Sequence, residues 1–99
     1  MRTFFRIQEK GITLDEMQKF SSGDGGDGME EKGGICACDS VTELINARHA
    51  TYGDEIVIFK GNVLCKIYDG YRVEPVEILA RFDVVDMYEE KKELLYEYE

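Results

Sequence analysis

The three cysteines of the chain, Cys36, Cys38 and Cys65, and its single histidine, His49, fall within one middle stretch. Three thiols and one imidazole are a donor set that structural zinc uses, with sulfur about 2.3 Å and nitrogen about 2.0 Å from the ion. Four ligands complete a tetrahedron with no vacancy, so the expected role is a staple for the fold and not a centre of reaction. The spacing, C-x-C, ten residues, H, fifteen residues, C, matches no standard zinc-finger signature. Two other readings stay open: buried thiols acting as small hydrophobes beside a histidine that complements a helix C-terminus, and a redox pair. A catalytic zinc would have to drop one ligand and recruit a base such as Glu43 or Asp39.

Other groups of chemically able residues carry less. Asp24, Asp27, Glu30 and Glu31 lie in a glycine-rich segment, but the alternating acids of a twelve-residue calcium loop are missing. No G-K-[ST] follows the glycines, and the neighbouring carboxylates would repel a phosphate. From residue 83 to the last residue the chain carries seven carboxylates against Lys91 and Lys92. That tail is either a solvated helix face or a docking surface in which Tyr88, Tyr96 and Tyr98 anchor while Glu89, Glu90, Glu93 and Glu97 steer.

The elements that position these residues belong to a short chain. Ninety-nine residues form one domain, small enough that a cross-link would help it. With 43% hydrophobic residues the sequence is too apolar to be disordered. A formal charge of -9 disfavours electrostatic binding to nucleic acid or to an anionic membrane and favours a basic protein partner. The first residues, with Arg2, Arg6 and Lys10, form neither a signal peptide nor a transmembrane helix, and three cysteines suit a reducing compartment, so a cytoplasmic location is expected.

Residues 2–8 alternate as a strand, Phe5 and Ile7 on one face, Phe4 and Arg6 on the other. Thr13 and Glu16 form a capping box that starts a short helix with Leu14, Met17 and Phe20 inward. Residues 21–34, with six glycines, are expected to be a mobile acidic loop. Residues 34–38 make a second strand, whose two-residue period sends Cys36 and Cys38 to one face. Ser40 and Glu43 cap a helix running to about His49, with Val41, Leu44 and Ile45 inward. Residues 55–60 and 63–68 are expected to be two strands joined by a tight turn at Gly61-Asn62. Pro75 is expected to break the ladder after residues 71–74, before a long strand over 76–85 with Ile78, Ala80, Phe82 and Val84 on one face. Residues 86–99 switch to helical spacing behind Asp86 as an acidic amphipathic C-terminal helix. The fold class is α+β: an antiparallel sheet of about five strands with two or three helices.

A compact acidic chain with no enzyme motif and the set Cys36, Cys38, His49 and Cys65 resembles the small phage-borne anti-CRISPR proteins, among them a zinc-containing inhibitor of a type II-A RNA-guided nuclease. The resemblance implies a non-enzymatic, stoichiometric inhibitor in the bacterial host cytoplasm that grips the effector nuclease and blocks loading of target DNA. Channels of such nucleases are lined with lysine and arginine, which suits an acidic ligand. The order Phe4-Phe5-Arg6, then residues 34–40 entering a helix, then Val57-Ile58-Phe59, looks like a shrunken ADP-ribosyltransferase core. That alternative implies NAD binding, with Arg6 on the dinucleotide and a glutamate, Glu74 or Glu77, at the reacting end; cysteines and alanine stand where that family has a serine-rich strand.

Overall fold

The structure, a computed structural model, describes residues 1–20, 34–46, 53–67, 70–84 and 92–99. The strand β1 (Arg2–Gln8) alternates as its sequence requires, and it lies antiparallel to β3 (Glu55–Ile67), with Phe5 opposite Ile58 and Ile7 opposite Ile56. β3 pairs along its length with β4 (Gly70–Asp83), and β4 in turn pairs with the short β2 (Ile35–Ala37). The strand order is β1-β3-β4-β2, all antiparallel. Its two edge strands meet again just past β2, where Phe5 and Cys38 exchange backbone hydrogen bonds of 2.7 and 3.0 Å. The sheet is therefore curled, not open.

Four strands replace the expected five because both expected breaks are bends within continuous strands. Gly61 does not turn the chain; it sits opposite Pro75 at a register shift. A Cβ there would lie 2.5 Å from a Val73 methyl and 2.6 Å from the Glu74 carbonyl oxygen, so glycine allows the β4 backbone to pass close by. Pro75, which lacks an N–H, is accommodated at the same irregularity and is buried. Three residues have no cross-strand partner between β3 and β4: Leu64 on β3, Val76 and Leu79 on β4. The extra residue at Leu79 resets the alternation. Ile78 consequently faces a different apolar cluster from Ala80, Phe82 and Val84, against the expectation of one common face.

Helices cover both sides. α1 (Leu14–Phe20) begins with the expected capping box: the Glu16 N–H donates to Thr13 Oγ1 at 3.2 Å, and the Thr13 N–H to Glu16 Oε1 at 3.4 Å. Its Met17 is fully buried with Phe4, Ile35, Val57, Phe59 and Val73. On the opposite face α2 (Val41–Asn46) and α3 (Lys92–Tyr96) lay Val41, Leu44 and Leu95 over Phe5, Ile7, Ile56 and Ile58. Each fully buried side chain of this size contributes roughly 2 kcal/mol relative to exposure. The glycine-rich residues 21–33, the end of the expected second helix with His49, and the first part of the expected C-terminal helix lie outside the described residues.

Candidate functional site

The three cysteines occupy three different surroundings. Cys36 is exposed on β2, and across the sheet it is followed by Arg72 on β4 and then Cys65 on β3, so the register sets the two cysteines on either side of Arg72. The Arg72 side chain is buried; its Nη1 donates to Cys36 Sγ at 3.2 Å and its Nη2 to the Gly34 carbonyl at 2.5 Å. Cys38 is buried beside Phe5, Val41 and Leu44, and its thiol lies 3.6 Å from the Phe5 carbonyl and 3.7 Å from that of Ser40. The Arg72 guanidinium thus places a positive charge beside the Cys36 thiol, and a metal ion bound there would be repelled by it. Among the described residues no three of His, Cys, Asp and Glu gather as a metal site, and His49 lies outside them.

The acidic tail is organised by its anchors. Leu95 is fully buried, the Tyr98 ring meets Phe82 edge-on at 6.3 Å, and Glu99 Oε1 accepts the Val41 N–H at 2.7 Å. Glu99 thereby serves the first turn of α2 together with Ser40, whose Oγ accepts the Glu43 N–H at 3.1 Å. Two short helices that would be marginal alone are tied into one layer. Glu43, Glu93, Leu94, Tyr96 and Glu97 point outward from it. Tyr98 is half-buried, turned toward the core, while Tyr88, Glu89 and Glu90 lie outside the described residues.

A further polar group had no signature in the sequence. The buried Glu55 carboxylate pairs with Arg81, whose other nitrogen donates to the Ile12 carbonyl. Beside it Arg6 Nε donates to Gln8 Oε1 at 3.1 Å and Arg6 Nη1 to the Cys36 carbonyl at 2.9 Å. Cross-strand register brings these residues together, and spacing along one chain cannot show it. Arg6 is thus engaged within the fold. It pairs with Val57, whereas Glu77 and Glu74 pair with Lys60 and Asn62, three or more residues along β3, a separation of roughly 10 Å. At the other end of β1, Arg2 is bound to Asp39 at 2.5 Å; the Tyr71 hydroxyl, and then the Asp39 carboxylate, raise its guanidinium above the ordinary value.

The class these elements define is an α+β domain with a curled antiparallel sheet, and no helix among the described residues is long and apolar enough to cross a membrane. Compared with known proteins, the chain matches no family model, no curated protein and no solved structure.

Proposed function

We propose that this chain is a non-enzymatic binding protein of the anti-CRISPR kind, whose acidic helical layer occupies a basic nucleic-acid channel of a guided nuclease and blocks loading of target DNA. The observation that carries the reading is the layer of α2 and α3. Glu43, Glu93 and Glu97, with Tyr96 and Leu94, stand outward on helices whose own anchors are buried, so the acids are held by packing and not by a floppy tail. Carboxylates around an aromatic anchor suit a cleft lined with lysine and arginine, where charge speeds encounter and the ring supplies contact area. The reading needs no metal, because the layer is fixed by Leu95, Tyr98 and Glu99.

The test is target-DNA binding by a guide-loaded nuclease, measured with increasing amounts of the chain. Stoichiometric loss of DNA binding is expected, and reversing Glu93 and Glu97 to lysine should raise the concentration needed by about tenfold or more. Undiminished DNA loading at large excess of the chain, across representative guided nucleases, would sink the proposal.

A further inference from the structure

β1 and β2 lie side by side where the curled sheet closes, yet among the described residues only Phe5 and Cys38 exchange main-chain hydrogen bonds across this seam. Alternate residues of an antiparallel strand turn their main-chain groups to the same edge, and the C=O of one residue points opposite to the N–H of the next. Cys38 turns its groups toward β1, so the carbonyls of Cys36 and Gly34 also point away from β4. No strand among the described residues takes them. Arg6 Nη1, reaching from β1, donates to the Cys36 carbonyl at 2.9 Å, and Arg72 Nη2, reaching from β4, donates to the Gly34 carbonyl at 2.5 Å.

The strand so capped has no protection of its own. Residues 34–38 read Gly-Ile-Cys-Ala-Cys, with neither a charged side chain nor a proline, the residue types by which sheet edges ordinarily discourage pairing with another chain. That protection is supplied from the neighbouring strands. A guanidinium bonded to an edge carbonyl occupies the acceptor that an incoming N–H would need. It also sets in the path of a new strand a charge that pairing would have to bury or displace.

We infer that Arg6 and Arg72 guard the outer edge of β2: by occupying the Cys36 and Gly34 carbonyls they keep this edge from pairing with the same edge of a second copy of the chain. A second copy is the competitor because an uncharged run of this kind is self-complementary. Two antiparallel copies match donor to acceptor about a two-fold axis and bring no like charges of their own together. Bulk electrostatics predict the opposite trend. Each copy carries a formal charge of -9, so removing an arginine adds to the repulsion between copies, and association that follows its removal reports the edge and not the net charge.

The test is self-association of the full chain under reducing conditions, followed by sedimentation velocity over a range of concentrations and by amide hydrogen exchange. Methionine keeps most of the length of the arginine stem and removes the donor, whereas lysine retains one. The R6M/R72M variant is expected to associate at a concentration about tenfold or more below that of the unaltered chain, with exchange slowed at residues 34–38 in the associated form. The R6K/R72K variant should follow the unaltered chain. R6M alone leaves the buried Arg72 in place and should shift association the same way by a smaller factor, with a cooperative melt showing that its fold is kept. Three results overturn the inference: sedimentation of R6M and R6M/R72M like the unaltered chain at every concentration, equal association of the lysine variant, or protection confined to residues outside 34–38.

Discussion

The two halves of β3 share one strand and one partner in β4, yet they live in different surroundings. Ile56, Val57, Ile58 and Phe59 are fully buried, flanked by β1 and β4 and covered on both faces. Past Gly61 β4 is the strand's one paired neighbour among the described residues, and Val63 and Leu64 are exposed although their side chains are just as apolar. Burial along a strand is thus decided by how many neighbours line it, and hydrophobicity only permits it. The covered half carries the stability of the domain.

The contrast is sharpest in a pair of truncations. Ile58→Ala, in the covered half, is expected to cost about 4 kcal/mol, because the methylenes removed lie between Phe5 and the α2–α3 layer and the site cannot collapse. Val63→Ala, five residues on, should cost less than about 1 kcal/mol. Denaturant unfolding of both variants measures the difference, and equal losses would break the distinction between the halves. Gly61→Val tests the joint between them. Its side chain would meet the Val73 methyl and the Glu74 carbonyl, so a loss of about 3 kcal/mol is expected. Exchange-protected amides should then disappear first from residues 62–67 and 70–74. A smaller effect belongs to the helical layer that covers the buried half. Glu99→Gln weakens the acceptor for the Val41 N–H and should cost about 1 kcal/mol, with faster exchange at α2 and an unchanged sheet.

Much of the local structure could be read from the residues. The capping box at Thr13 and Glu16 is chemically self-contained within four residues, and it forms as its spacing requires. The alternation of Phe4, Phe5 and Ile7 placed two apolar faces on β1, and the inward faces of α1 and α2 at Met17, Val41 and Leu44 followed from helical spacing. Gly61 and Pro75 misled for one reason. Both are turn formers by propensity, but opposite each other across a ladder they make a bulged bend in which neither is penalised. The candidate site was legible in part: Glu93 and Glu97, which are exposed, belong to the tail's charge pattern, whereas the tethering of that tail through Glu99 has no local signal.

What the amino-acid order determined by itself is what depends on neighbours within a few residues: caps, periodicity, the acidic balance and the presence of four soft or borderline metal donors. Tertiary structure decided which of those groups meet. The register of β2, β4 and β3 set Arg72 between Cys36 and Cys65 and drew Cys38 into the core beside Phe5, and that of β1, β3 and β4 set Lys60 between Thr3 and Glu77. Register is a property of pairs of strands far apart in the chain, and a shift of one residue reverses every side chain's face. Chemistry that depends on a cross-strand row is therefore invisible until the sheet is assembled.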